Sequence, residues 1–250
     1  MLPFLTQRFG NPSSGHPYGA EARAAVETAR RQVASLLGAR PEEVVFTSGG
    51  TEGSNTVVQG VARLLRGKGR HVVTSAIEHP AVLEPCALLE EDGWAVTRVG
   101  VDDDGRVDPA DVAAAITEQT VLVTVMHANN EVGTLQEIAE IARLAHERGV
   151  LVHTDAAQST GKVPVDVVAL GIDFLTIAGH KLYAPKGVGA LWIRSGLSLP
   201  PLLRGASHEA GRRAGTENVL EIVGLGKACE VAARRLASDS SRFEELRERL

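Results

Sequence analysis

Cysteine is nearly absent: Cys86 and Cys229 are the only two in 250 residues. Two thiols so far apart in sequence do not build a disulfide framework, and no CxxC pair or Cys/His cluster marks a zinc site. Each lies in an apolar-periodic segment and reads as core. A reducing, cytoplasmic setting is the expectation. No run of 18 or more apolar residues occurs, so no membrane span is expected. The opening stretch MLPFLTQRFGNP lacks the basic, apolar and small-residue segments of a signal peptide. Basic residues form no stripe; a net charge of −5 with interspersed signs argues against a direct nucleic-acid partner. Internal repeats and low-complexity linkers are also missing.

What is present is an ordinary globular balance, 44% hydrophobic and 23% charged. The length allows one large domain or a domain and a half. After a Gly/Pro/Ser-rich start, GNPSSGHPYG, two periodicities alternate. Helical spacing runs over 20–38, 51–65, 80–91, 109–116 and 135–148, and again from Asn218 onward. Between these lie apolar or β-branched runs at 43–47, 71–75, 95–99, 120–126, 149–155, 173–178 and 189–193. Strand–helix alternation with runs apolar on both faces predicts an α/β fold, a mainly parallel sheet between helical layers. Such sheets place ligands at the carboxyl ends of their strands.

The residues that follow each strand are therefore the candidates. SGGTEGSN (48–55) is a Gly-rich turn leading into a helix. Free N–H groups and hydroxyls there suit a phosphate dianion; an ordinary capped turn is the plainer alternative. It is not a Walker loop, lacking the Gly-Lys-Ser/Thr ending, nor a dinucleotide fingerprint. His79 precedes Pro80 and a helix, and serves either as a structural or solvated residue or as a ring stacked on another ring. Asn129 and Asn130 are turn residues by type, or one of them bonds a ligand. Asp155 closes a strand, where it is an N-cap or the counter-ion of a buried cation. Gln158 follows it, as a solvated amide or a group on the same side. Lys181, after Gly179 and His180, directly follows an apolar strand; most lysines are exposed, but a partly desolvated one becomes a nucleophile toward carbonyls.

Together these groups describe a phosphate site, a stacking ring, an acid for a ring nitrogen, hydrogen-bonding amides and an amine for an aldehyde. Pyridoxal 5′-phosphate needs that set. The segments GNPSS, FTSGGTEGSN, EHPAV, HANNEVG, HTDAAQSTGKVPVD, AGHKLYAPKGVGAL and RRAGTENV, in this order, resemble the cysteine desulfurases. These belong to the class V aminotransferase group of fold-type I pyridoxal-phosphate enzymes. The resemblance runs from about Phe9 to Val223.

The resemblance implies a three-layer αβα large domain with a small C-terminal domain mostly missing. It implies Lys181 as the Schiff-base lysine and Asp155 as partner of the pyridine nitrogen. His79 would stack on the ring and join in proton transfer. Gln158 would bond the phenolic oxygen, Asn130 would lie near cofactor and substrate, and Gly50, Thr51 and His180 would hold the phosphate. Thr216 would reach the phosphate of the neighbouring subunit in a homodimer. The implied reaction converts L-cysteine to L-alanine and passes sulfur to an enzyme cysteine as a persulfide, for a further acceptor protein. Another class V enzyme (a selenocysteine lyase, an aminotransferase or a β-lyase) is the alternative, as is a truncated paralogue without turnover.

Three departures qualify the match. Ala178 stands where the family usually has a serine, removing one hydroxyl worth about 1 kcal/mol. The sulfur-accepting cysteine normally lies well beyond position 250, and neither Cys86 nor Cys229 matches it. The N-terminal LDNNATT-like segment of the family is also missing. The chain is thus expected to be part of a longer protein, organised as an N-terminal segment (1–19), a cofactor-binding large domain (20–220) and the start of a small domain (221–250).

Overall fold

The structure, a computed structural model, describes residues 1–249. A short helix, α1 (Leu2–Thr6), precedes α2 (Pro17–Leu36), and Pro3 and Pro17 lie in their first turns, where a missing N–H costs nothing. β1 (Val44–Thr47) then leads into α3 (Gly50–Leu65). β2 (His71–Ser75), α4 (Pro80–Glu91) and β3 (Ala95–Val99) follow. Next come α5 (Pro109–Ala115), β4 (Thr120–Thr124), α6 (Ile138–His146) and β5 (Leu151–Asp155). The last elements are α7 (Val167–Leu170), β6 (Phe174–Ala178), β7 (Gly189–Ile193) and α8 (Val219–Arg247).

Among the described residues the strands form one sheet in the order β1-β7-β6-β5-β4-β2-β3. The pairs β2–β3, β2–β4, β4–β5 and β5–β6 are parallel. β7 alone runs backwards, antiparallel to β6 and β1. Alternation along each strand feeds two cores. Val44, Phe46, Val73, Val123, Leu175, Ile177, Ala190 and Trp192 point to the layer of α2, α5, α6 and α8. Val45, Val72, Leu122, Phe174, Leu191 and Ile193 point to α3 and α4. The three-layer αβα reading of the sequence holds. Among the described residues no helix is long and apolar enough to cross a membrane.

Several boundaries differ from the sequence reading; α7 (Val167–Leu170), a single short turn, is not read from it, and the runs at 120–126 and 149–155 shorten to β4 and β5. α1 is not foreshadowed, because its five residues are too short for a periodicity and bury none of their side chains. The helix read at 135–148 is α6, Ile138–His146, because Gln136 is drawn off to receive Val107 N–H at 2.8 Å and give to Gly105 O at 2.8 Å.

The strands of one direction end together: Thr47, Ser75, Thr124, Asp155 and Ala178 share one edge, where β7 begins at Gly189. Gly189 is paired with both Thr47 and Ala178. A Cβ there would lie 2.5 Å from Ile177 O and 2.7 Å from Gly49 C. Only glycine lets the β1–α3 turn rest on the sheet edge. Gly189→Ala is expected to destabilise the fold by about 1–3 kcal/mol through backbone displacement, read as a lower urea midpoint. An unchanged midpoint would show that the turn is free to move.

Candidate active site

The cleft at that edge has a volume of about 190 Å³. Gly50, Thr51, His79, Asn130, Asp155, Gln158, His180 and Lys181 all line it. Eight of the nine residues singled out in the sequence therefore meet in one place. Thr216 does not: it lies with Ser48, Gly187 and Arg213 in a neighbouring groove of about 230 Å³. A larger hollow of about 1150 Å³ between α1, α2 and α8 borders Lys181 but holds none of the other strand-end groups.

One wall is the N-terminus of α3. Gly49, its N-cap, has φ 154°, open to glycine. A Cβ on Gly50 would sit 3.3 Å from the Ala178 side chain, and one on Gly53 2.9 Å from Thr176 Cγ2. The helix start is thus pressed onto β6 by missing side chains. The turn is braced from outside: Glu52 accepts from Ser48 N–H at 2.7 Å and from Arg213 at 2.8 and 3.1 Å. Burial pushes Glu52 up, but the Arg213 and Ser48 hydrogen bonds outweigh it and hold it below the usual carboxylate range. The first-turn N–H groups of this 16-residue helix and the Thr51 hydroxyl supply anion-binding donors.

The opposite wall carries His79, the N-cap of α4, held extended before Pro80. Its Nδ1 accepts Ala81 N–H at 3.0 Å. A neutral His79 therefore carries its proton on Nε2. The two asparagines part company. Asn129 is a turn residue, its Oδ1 accepting from Glu131 and Val132 N–H at 2.9 and 3.0 Å and its amide giving to Ile77 O at 3.3 Å. Asn130 is left at the cleft, its side chain bonded among the described residues only to Glu131 at 2.7 Å.

Asp155 forms the floor, 7% exposed. Its Oδ1 accepts Ala157 N–H at 2.9 Å, and its other oxygen takes no donor from the described residues. Burial pushes its pKa up, against Ala157 N–H and the nearby charge of His79. Two residues earlier, on the same face, His153 is bonded to the hydroxyls of Thr124 and Thr176 at 2.7 and 2.9 Å. Burial drives its pKa down to about 3, so it is uncharged and cannot serve as Asp155's cation.

Lys181 sits in a 3-10 turn, Gly179–Leu182, directly off β6. Gly179 N–H bonds Val188 O at 3.0 Å, and a Cβ on Gly179 would come within 2.7 Å of that oxygen. The half-buried amine is close enough that its charge, after burial, depresses Lys162 and His180. Gln158 is half-buried, with its Oε1 at 3.4 Å from Lys162 Nζ. Met126, Ala81, Ala128 and Ala157 complete the lining and were not read from the sequence. Glu78 was also missed: it is buried beside Asp155, which opposes its ionisation. An acidic residue just past an apolar strand, the cue that picked out Asp155, was available for it.

A mainly parallel sheet with one reversed strand, gathering a lysine, a buried aspartate and a helix N-terminus at its carboxyl edge, is the fold of the fold-type I pyridoxal-phosphate enzymes. The aminotransferase class-V model matches residues 1–250, and the chain belongs to that family. A cysteine desulfurase IscS of Dictyoglomus turgidum is 50% identical over 248 residues, covering 99% of this chain. The chain spans 63% of that relative's own length. A NifS-like protein of known structure superposes with a TM-score of 0.97 at 39% identity, over 99% of this chain and 68% of the other. SspA, solved in complex with cysteine, gives a TM-score of 0.90 at 39% identity, over 99% and 72%.

The two cysteines lie apart from the cleft lining, both buried in helices. Burial pushes each thiol up to about 12. Neither is available as a thiolate. Iodoacetamide is expected to leave both unmodified in the folded protein and to label both in urea, as read by mass spectrometry. Rapid native labelling of either would contradict the buried placement.

Proposed function

We propose that the cleft binds pyridoxal 5′-phosphate and that the chain is the cofactor-binding part of a cysteine desulfurase. The observation that carries this is the convergence of Lys181, Asp155, His79 and the α3 N-terminus on one small cleft. The residues fit the cofactor on chemical grounds. Asp155 is a largely buried carboxylate that lines the cleft with no cation bonded to it among the described residues, which calls for a cation from a ligand, and the helix start opposite offers unpaired N–H groups to a dianion.

When bound, the cofactor supplies an electron sink for a carbanion at the Cα of an amino acid. Lys181 would anchor its aldehyde and, once released by the incoming amino acid, act as the base that moves the Cα proton. Asp155 would keep the ring nitrogen protonated. His79 would shield the ring from water and offer Nε2. Gln158 and Asn130 would serve the phenolic oxygen and the substrate side. Gly50, Thr51 and His180 would hold the phosphate, without the hydroxyl that a serine at Ala178 would add. Thr216, outside the cleft, is left free to serve the site of a second copy in a homodimer.

L-cysteine is the substrate favoured by the IscS and SspA comparisons. Its sulfur would pass to an enzyme thiolate and then to an acceptor protein, in a cytoplasmic setting. Cys86 and Cys229 do not supply that thiolate, being buried and protonated.

Mixing the protein with pyridoxal phosphate is expected to give the visible absorbance of a lysine-linked cofactor, absent in Lys181→Ala. Asp155→Ala should weaken binding by about a hundredfold, the cost of breaking a buried ion pair. An unchanged spectrum in Lys181→Ala would end the assignment. Given cysteine and excess dithiothreitol to reduce any persulfide to sulfide, the loaded 250-residue chain is expected to release no sulfide, since neither buried thiol attacks the substrate sulfur. Sustained release would show that Cys86, Cys229 or no thiol at all suffices.

A further inference from the structure

Glu78 has no part in the roles above, yet it sits where β2, β4 and the cleft meet. Its Oε1 accepts the Ser75 hydroxyl at 2.6 Å and Met126 N–H at 2.8 Å. One carboxyl oxygen thus ties the end of β2 to the chain leaving β4. Asn129 fastens the same segment by its bond to Ile77 O at 3.3 Å. Residues 77–79 are therefore clamped from two sides, and the clamp sets where His79 stands.

The other oxygen, Oε2, is buried and takes no hydrogen bond from the described residues. An ionised carboxylate with one bare oxygen in a dry interior is far costlier than the neutral acid. Three titratable neighbours face or flank it. Asp155 comes from β5 and opposes its ionisation. Cys86 comes from α4, and a charge on Glu78 would oppose ionisation of that thiol. His79 follows it in the chain. Arg98 of β3 is engaged elsewhere, bonded to Glu90 at 2.6 and 2.8 Å. Burial pushes Glu78 up to about 8, against the pull of Ser75 and Met126 and with Asp155 adding to it.

We propose that Glu78 is a positioning residue of the cleft: a neutral carboxyl that clamps β2 to β4, fixes His79, and leaves the negative charge of that buried space to Asp155 alone. Its consequence for cofactor binding rests on the pyridoxal-phosphate reading; the clamp and its charge state do not.

Glu78→Gln keeps an acceptor for Ser75 and Met126 and cannot ionise, while Glu78→Ala removes the clamp. Three readouts test the proposal. Wild type at neutral pH should show the infrared carbonyl band of a protonated buried carboxyl, lost in Glu78→Gln. Stability should follow the proton. Folded Glu78 holds its proton more tightly than unfolded Glu78, so wild type loses stability as pH rises from the ordinary glutamate range to about 8. The urea midpoint of Glu78→Gln should therefore gain on wild type across that window and level off above it.

For the cofactor, Glu78→Ala should weaken pyridoxal-phosphate binding by about tenfold or more, the loss of a buried hydrogen-bonding group. Glu78→Gln, which keeps the acceptor, should restore it. A wild type without the infrared band, or a Glu78→Gln protein as impaired as Glu78→Ala, overturns the proposal by showing that Glu78 works as a carboxylate. If wild type and Lys181→Ala bind the cofactor alike, the cofactor reading fails instead, and the infrared and urea results still decide the role of Glu78.

Discussion

Asp155 is a carboxylate buried without a cation, and the cleft is organised around that constraint. Among the described residues no lysine or arginine bonds it. His153, one layer down on the same face, is kept neutral between two threonines. Burial outweighs the Ala157 hydrogen bond and the neighbouring His79, and the carboxyl is held above its usual range. A group in this position gains most from a ligand that brings its own positive charge. A pyridine nitrogen, protonated by contact with the carboxylate, is such a ligand, and pairing it in a dry site strengthens the attraction.

The sheet makes this arrangement possible. Parallel strands deliver Ser75, Thr124, Asp155 and Ala178 to one edge, each followed by a segment that need not continue the ladder. The reversed β7 then brings Gly189 to the same edge, where the lack of a side chain makes room for the Gly49 turn. Gly179 does the same for the turn that carries Lys181. Acid, amine and anion-binding helix start thus belong to three strand ends in sequence but share one cleft. Their precision comes from backbone contacts, which are stiffer than side-chain contacts in a loop.

Much of this is legible in the sequence. The apolar runs mark the strands because a parallel sheet covered on both faces leaves little alternation to misread. Taking the first polar groups after each run recovers Lys181, Asp155, His79 and the SGGT turn from the residue order alone. What stays hidden depends on partners remote in sequence. Glu78 looks like a surface acid until Met126 and Ser75 are seen to close on it. Asn129 and Asn130 are equivalent by type, and only the bonds of Asn129 within its turn separate them. Thr216 lines a neighbouring groove with Ser48 and Arg213, and a role toward a second copy is not visible in one chain.

The charge on the ring nitrogen is the most direct test of the account. Pyridoxal phosphate labelled with nitrogen-15 in the ring, bound to the intact chain, should give the chemical shift of a protonated pyridine throughout the range where Asp155 is ionised. The shift should move to the unprotonated value in Asp155→Ala. An unprotonated nitrogen in the wild-type protein, or a shift indifferent to Asp155, would contradict the claim that this buried carboxylate is what the cleft is built to neutralise.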